Sequence, residues 1–510
     1  MRILLRLILC VIGFAGLIGT GYAWIVSSPT GASPDDDFHQ TSIWCPMPIE
    51  DHCPIIRYED NGQPVVEVPL TVDASSVRYA FHPDISAATL IGMDDQTPST
   101  TTRLNTGEYP GYYYLVMNLF VEPDVDRSIL VMRWVNFGIA IVMYGAALLL
   151  LGTPQRRLLT YTLLCAALPI NLYFTTSVNP SSWAFTGIVS LWIGLEGFFT
   201  SQGVRRMGLG IVAVVGAVLA SAARIDSAIY CAIVAAAMTI FHFRRVWARK
   251  LFLILPLVTA LIGAASYLVV HQSSTVSSEP GDAGGPLINP VRLFLSNVAH
   301  LPRFLLYFWD TDLGWFDVHS PTVTGVLLLL VTIVWAGYCF IQVRCGWHKA
   351  VAIILVGAAV YGLPVLFMQM QQMYLAAWGF QARYVAPLMI VFFGLIMTGS
   401  PKTDPPRLPW WVTVPCLAGL ITAHGVLLHT LIRRYVTGTD VSGFNLNPGA
   451  EWWRSAGPSP MATWVMGTVG LAVGIASWLI LISMKPPADP VGSVSPLPPS
   501  TEKPVVTNIV

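Results

Sequence analysis

The sequence predicts an all-α polytopic membrane protein, and three observations lead to that class. Of its 510 residues, 54% are hydrophobic and only 11% are charged, whereas a soluble domain carries about 25% charged residues. The mean hydropathy is +0.61. Apolar runs of about 20 residues, the length that crosses a bilayer, alternate with short loops along most of the chain. The formal net charge is zero, which argues against nucleic acid as a partner and leaves the lipid bilayer as the main one.

The first apolar run, residues 3–25, follows Arg2 and Arg6 and could be taken for a signal peptide. Its apolar stretch is about 20 residues long, whereas the apolar region of a signal peptide has roughly 7–15. We therefore interpret residues 1–25 as a retained first transmembrane helix.

Residues 26–128 are predicted to form an extracytoplasmic loop with short strands. Residues 64–80 carry β-branched side chains in partial alternation, which is typical of a strand pair. Cys45 and Cys53 are the only cysteines of this loop, and in an oxidising compartment we expect them to form a disulfide. The aromatic-rich run 109–121 is too short to span, and it predicts a helix lying at the membrane surface.

Residues 129–484 are predicted to form a multi-spanning bundle, with exterior loops at 271–322 and 433–460. Together with the first helix, its apolar runs give about twelve spans; because 207–222 is short, eleven or thirteen are alternatives. The eleven later runs are 129–151, 158–175, 182–199, 207–222, 227–243, 251–270, 323–343, 350–368, 385–398, 410–432 and 463–484.

Positive charge sets the predicted orientation. All five lysines and the arginine pairs at 156–157, 205–206 and 244–245 fall on one side of the predicted bundle, which the positive-inside rule makes cytoplasmic. With an even number of spans, both termini are then cytoplasmic. The Pro- and Ser-rich tail, residues 485–510, is predicted to be disordered.

An acidic stretch follows the first helix directly, with Asp35, Asp36, Asp37 and His39 within five residues. Negative charge concentrated beside a bilayer suits a site that handles a cation, a proton or a hydroxyl. A divalent cation held by Asp35, Asp36 and His39 is one such role, although His39 is better suited to be a hydrogen-bonding partner. The alternative is a solvated acidic turn that caps a short helix.

Four other predicted exterior stretches carry polar and aromatic residues that would share this face: Asn179; Arg224 with Asp226; Trp315 with Asp317; and Gln381, Arg383 and Tyr384. Arginine binds phosphate with a planar fork of donors, and carboxylates take protons from hydroxyl groups. The set suits a substrate with a phosphate, a sugar and a lipid tail. Each member has an alternative role, since Arg224 and Asp226 could pair with each other, Arg383 could extend to the lipid headgroups, and the aromatics could belong to an interfacial belt.

Several motifs resemble those of a known family. The Pro-Asp-Asp-Asp-Phe-His sequence at 34–39 resembles the Pro-Asp-Glu-x-x-His opening of a bacterial, largely actinobacterial family of multi-spanning membrane proteins of unknown function. Residues 177–180, 313–317 and 380–387 resemble its later motifs. The chain departs from the pattern at Asp36, where glutamate is usual, and at Ala382, where glycine is usual.

That family is similar in layout to the GT-C glycosyltransferases, and the similarity implies further expectations. It implies a GT-C-like fold in a bacterial plasma membrane, a polyprenyl-phosphate sugar donor, and Asp35 or Asp36 as base or metal ligand. We therefore predict transfer of a sugar to an envelope glycan or lipid acceptor on the exterior face, with Arg383 or Arg224 holding the donor phosphate. A transporter or flippase of an envelope lipid, or a non-catalytic protein of envelope assembly, are the alternative classes.

Overall fold

The computed structural model describes residues 2–166, 169–270, 288–310, 312–375, 380–399 and 407–484. The predicted tail 485–510 and the first part of the predicted exterior loop 271–322 lie outside the described residues. The helices are α1 Arg2–Val26, α2 Asp36–Trp44, α3 Leu70–Ala74, α4 Tyr112–Asn118, α5 Val125–Leu150, α6 Thr153–Ala166, α7 Ile170–Thr175, α8 Ser181–Thr200, α9 Gly203–Ala223, α10 Ile225–Phe241, α11 Phe243–Ala248, α12 Ile254–Val269, α13 Pro290–Leu306, α14 Thr322–Gln342, α15 Trp347–Met370, α16 Ala382–Met397, α17 Trp410–Val436 and α18 Pro460–Ser483.

The predicted all-α polytopic class is confirmed. Within the described ranges, nine helices are long and apolar enough to cross a membrane, and α10 and α16 are shorter apolar helices. The predicted span 158–175 differs from the expectation, because it consists of α6 and α7 with Pro169 between them. Proline lacks an amide hydrogen and disrupts a continuous helix, and α6 begins with the polar sequence Thr-Pro-Gln-Arg-Arg.

Helix α8 is the centre of the bundle, since 89% of its most apolar 18-residue window is buried inside the protein. It packs closely against α9 through glycines. A Cβ atom built on Gly187 would lie 2.6 Å from the backbone nitrogen of Ala220 and from the backbone oxygen of Gly216. Such contact between helix backbones is possible only with small residues.

A small sheet lies in the segment between α2 and α4. Its strands β1 Ile55–Tyr58, β2 Pro64–Pro69 and β3 Pro98–Thr101 are antiparallel in the order β1-β2-β3. The prediction of a strand pair within 64–80 was therefore half wrong: β2 ends at Pro69, and its partners come from elsewhere. The sequence after Pro69 forms α3 because Asp73 and Ala74 are poor strand residues, so the partial alternation does not continue.

The surface helix predicted in the run 109–121 exists, as α4. In α4, however, Tyr113 and Tyr114 are buried inside the protein rather than turned toward a membrane surface. Helix α13 carries an exposed apolar face that includes Phe294 and Leu295, as an interfacial helix would. The predicted disulfide between Cys45 and Cys53 is confirmed, and it closes the loop that follows α2.

Candidate functional site

The acidic stretch is held in place by side chains from the bundle. Where α1 ends, the guanidinium of Arg133 on α5 donates hydrogen bonds to the carbonyl oxygens of Ile25, Ser28 and Pro29, at 2.8, 2.7 and 2.7 Å. The amide of Asn179 donates to the carbonyl oxygen of Pro34 at 3.1 Å. Asn179, predicted as a substrate-binding residue, thus positions the turn that leads into α2.

The three carboxylates of the stretch have three different environments. Asp35 is 42% exposed and its Oδ2 lies 3.2 Å from Nη2 of Arg383. Asp36 is completely buried at the start of α2. Asp37 forms a two-pronged pair with Arg103 at 2.9 and 3.0 Å. Because only Asp35 combines exposure with a buried cation, it is the carboxylate best placed to meet a substrate.

The surroundings of Asp36 favour the neutral, protonated form of its carboxyl group. Burial raises its pKa to about 8, and the like charges of Asp37 and Asp35 contribute less. One carboxyl oxygen accepts a hydrogen bond from the backbone nitrogen of Ser33 at 2.8 Å, while the other has no hydrogen-bond partner in the described ranges. A carboxyl group that keeps its proton at neutral pH cannot accept one, so the expectation that Asp36 could be the base is not supported by its surroundings.

Arg383 provides the cation of the site. Its side chain is only 4% exposed, and its Nε and Nη1 have no hydrogen-bond partner among the residues that the structure describes. The guanidinium lies 5.5, 5.8 and 5.2 Å from the ring centres of Phe174, Phe316 and Tyr384. A buried arginine normally satisfies its donors, so two open nitrogens in an aromatic enclosure indicate a place for an acceptor from outside the protein.

Arg224 and Asp226 pair with each other, as the alternative interpretation expected. Nη2 of Arg224 lies 2.9 Å from Oδ2 of Asp226, and Nε lies 3.1 Å from Oδ1. The Arg224 guanidinium also lies over the ring of Tyr384 at 4.4 Å and near the ring of Tyr109 at 5.7 Å. Since Tyr384 contacts both arginines, it joins this pair to the Arg383 site.

His39 is a buried hydrogen-bonding partner. Its Nδ1 lies 3.0 Å from the hydroxyl of Tyr114, and its ring meets that of Tyr109 edge-on at 5.4 Å. Burial lowers its pKa well below the usual value, so the ring is neutral at physiological pH. In the described ranges, no group of three or more His, Cys, Asp or Glu side chains could hold a metal ion. Asp35, Asp36 and His39 therefore do not fit the expected cation site.

Trp315 and Asp317 form contacts within the protein close to the acidic stretch. Trp315 donates from Nε1 to the carbonyl oxygen of Gly31 at 2.8 Å. Asp317 is 3% exposed, and its Oδ2 lies 2.6 Å from Nη2 of Arg434. Gly314, with φ +62°, admits no side chain, because a Cβ there would lie 2.6 Å from Asp317 Oδ1. These predicted substrate-binding residues are occupied within the protein and hold the loop before α2.

Two residues beside the Arg383 guanidinium have left-handed backbone conformations. Asp35 has φ 62° and Phe316 has φ 61°, and such values are uncommon outside glycine. Residues held in this region cluster at functional sites, where the surrounding structure maintains the strain. Gln381, which precedes α16 and lies two residues before Arg383, has a buried Oε1 without a partner among the described residues.

The sequence did not point to several residues that support the site through contacts inside the protein. They are Arg103, Tyr109, Tyr114, Arg133, Asn136 and Arg434. Asn136 donates to the Tyr113 hydroxyl and to the Ser177 carbonyl, and it accepts from Trp183. A signal existed for Arg133 and Asn136, because both are polar residues inside an apolar run and such residues usually have a buried partner.

The fold and the site together define a multi-pass helical membrane protein with a polar site built around an acidic loop. Residues 18–392, more than half of the chain, match the model of the family described as "Predicted membrane protein (DUF2142)". The chain belongs to this family. No curated protein and no solved structure matches it.

Proposed function

We propose that the protein transfers a sugar from a polyprenyl-phosphate donor to an envelope glycan or lipid acceptor, at the exterior face of a bacterial plasma membrane. Both termini would then be cytoplasmic, and the bundle would serve as a GT-C-like glycosyltransferase. The observation that carries the proposal is the buried Arg383, which keeps two donors open beside the partly exposed carboxylate of Asp35.

Arg383 suits a phosphate of a lipid donor. Its Nε and Nη1 lie on different edges of the planar guanidinium, so each can donate a charged hydrogen bond to a separate phosphate oxygen. Its third nitrogen already contacts Asp35, which keeps the guanidinium oriented toward the loop. The surrounding rings of Phe174, Phe316 and Tyr384 exclude water, which strengthens the attraction between the guanidinium and an anion.

In the proposed step, the carboxylate of Asp35 takes the proton of the acceptor hydroxyl while that oxygen forms a bond to the anomeric carbon of the sugar. The bond between the anomeric carbon and the phosphate oxygen breaks, and polyprenyl phosphate leaves with the electron pair. Arg383 stabilises the charge that develops on the departing phosphate, which is a large part of what such a reaction requires. No redox partner is needed.

The test is a transfer assay with the full chain in membranes, using radiolabelled polyprenyl-phosphate sugars as donors and an envelope fraction as acceptor. Asp35→Asn should lower transfer on the order of 10²–10⁴-fold, the usual loss when a general base is removed. Asp37→Asn is the matched control, because Asp37 lies two residues away and pairs with exposed Arg103 instead.

Two results would reject the proposal. If Asp35→Asn transferred as well as the parent at equal abundance, Asp35 would not be the base. If the parent transferred nothing from any polyprenyl-phosphate sugar, the site would have another function. Lipid transport and envelope assembly would then be the functions to test. A bound polyprenyl phosphate without transfer would favour the transporter.

A further inference from the structure

A second polar site lies where α8 ends and α9 begins. A cavity of about 230 Å³ is enclosed there by residues of α8, α9, α11 and the turn before α12. Three arginines line it: Arg206, Arg245 and Arg249. No carboxylate is among the residues that line the cavity, so its positive charge is not neutralised from within its own wall.

The nearby carboxylate of Glu196 is already in use. Its Oε2 lies 2.8 Å from Nε2 of His242, and both side chains are almost completely buried. The ring of Phe199, which lines the cavity, is stacked on His242 at 4.5 Å. The ring of Phe199 therefore separates the Glu196–His242 pair from the cavity. Glu196 of α8 is paired with His242 and is not an acidic partner of the three arginines.

Arg206 has a fixed position at the cavity wall. Its Nε and Nη2 both donate to the carbonyl oxygen of Ser201, at 2.9 and 2.6 Å, and its guanidinium lies over the ring of Phe252 at 5.0 Å. The first turn of α9 lies beside it, and Gln202, which precedes α9 and lines the cavity, makes no side-chain cap bond. Amide hydrogens at a helix start favour an anion and reinforce the arginines.

The surface next to the cavity is apolar and exposed. On α9, Val204, Met207 and Ile211 are 82, 71 and 63% exposed and share one face of the helix. On α12, Ile254 and Leu261 are 54 and 65% exposed. In helices long and apolar enough to span a membrane, such faces contact lipid chains. The cavity therefore opens at the height of lipid headgroups, with chain-facing surfaces directly beside it.

We propose that this cavity binds the headgroup of an anionic phospholipid from the surrounding leaflet. The arginines would bind its phosphate, and its acyl chains would lie along α9 and α12. Basic pockets between membrane helices are suited to anionic headgroups. Trp247, which is 67% exposed and lies 4.0 Å below the Lys250 ammonium, marks the same interfacial level.

This site is independent of the proposed transferase site. Helix α8 begins just after Asn179, which contacts the acidic stretch, and ends at Thr200 in the cavity wall. Its 20 residues give a length of about 30 Å, so the two sites lie at opposite ends of the bundle. Failure of the lipid experiment would leave the transferase proposal untouched, and the converse also holds.

The test uses the purified full chain in detergent and measures binding of phosphatidylglycerol by native mass spectrometry, with phosphatidylcholine as the neutral comparison. We expect the parent to prefer phosphatidylglycerol. Arg245→Gln combined with Arg249→Gln should weaken that binding roughly tenfold or more, since each basic group contributes to the attraction. The matched control is Arg205→Gln combined with Arg244→Gln, which removes the same charge from exposed residues that do not line the cavity.

Thermal melts of both double variants establish that they are folded before their binding is compared. Equal loss of binding in both would reject the cavity as the site and indicate general attraction to a basic surface. Equal binding of the two lipids by the parent would reject it as well. Competition by excess inorganic phosphate would show a site for a free anion, which also overturns the lipid proposal.

Discussion

Two buried arginines of this protein pair with aspartates, and the two pairs differ in how many hydrogen bonds they complete. Arg434 is fully buried, and its Nε, Nη1 and Nη2 all donate, to Asp317, Ile85 and Tyr79. Arg383 is nearly as buried, yet within the described part of the chain only its Nη2 donates, to Asp35. The Asp317–Arg434 pair is closed, and the Asp35–Arg383 pair is open.

The difference separates a structural role from a functional one. Burial of a charge costs several kcal/mol unless hydrogen bonds replace its lost hydration, and only the closed pair replaces it completely. The open pair retains unused donors, and a ligand that filled them would recover part of that cost. The number of satisfied donors, rather than burial or ion pairing, therefore distinguishes the two arginines.

The largest expected effect comes from opening the closed pair. Arg434→Gln leaves Asp317 buried without its cation, which should cost about 3–5 kcal/mol of stability. The variant should show a much lower melting temperature in detergent and lower abundance in membranes. Arg103→Gln is the control, because Arg103 pairs with Asp37 at the surface and should contribute at most about 1 kcal/mol. An unchanged melting temperature for Arg434→Gln would show that the closed pair is not structural.

A smaller effect on stability and a larger one on binding are expected at the open pair. Arg383→Gln removes two donors that no described residue uses and one contact to the partly exposed Asp35, so its melting temperature should stay close to that of the parent. Binding of radiolabelled polyprenyl phosphate should weaken on the order of 10- to 100-fold, the value of a charged hydrogen bond. Arg383→Lys should restore little, because one ammonium cannot contact Asp35 and also present donors at the positions of both Nε and Nη1. If the parent and Arg383→Gln bound polyprenyl phosphate equally well, Arg383 would have a structural role like that of Arg434.

The comparison also shows what the sequence could predict. Hydropathy located the long helices, because apolar runs of membrane length have few alternatives in water, and cysteine placement predicted the Cys45–Cys53 disulfide. The motifs pointed to the stretches that the structure brings together around Arg383. These are local properties, readable from composition and order.

Pairing and burial could not be predicted, because they depend on packing between distant segments. Asp35 and Arg383 are 348 residues apart, and Asp317 and Arg434 are 117 apart. Nothing local distinguishes the open aspartate from the closed one. For the same reason the aromatic run 109–121 predicts a position at the membrane surface for Tyr113 and Tyr114, although both pack inward. An aromatic run indicates that rings are covered, but not by what.

The finest test of the comparison lies at Asp36, the carboxyl group beside the open pair that has no cation at hydrogen-bonding distance among the described contacts. Its pKa of about 8 in the folded chain exceeds the ordinary value of 3.8, so between roughly pH 4 and 8 the folded state holds a proton that the unfolded state has released. The stability from this group is complete below about pH 4 and is lost as the pH rises through 8. Asp36→Asn carries no such proton, so its melting temperature relative to the parent should rise with pH across that window.

The same variant also tests the role of Asp36 in transfer. Because asparagine resembles the neutral carboxyl group, sugar transfer by Asp36→Asn at pH 6 should fall far less than the loss on the order of 10²–10⁴-fold that removal of a general base causes. If Asp36→Asn abolished transfer while Asp35→Asn did not, the buried carboxyl group would be the base, and exposure beside an open arginine would not identify the reacting aspartate.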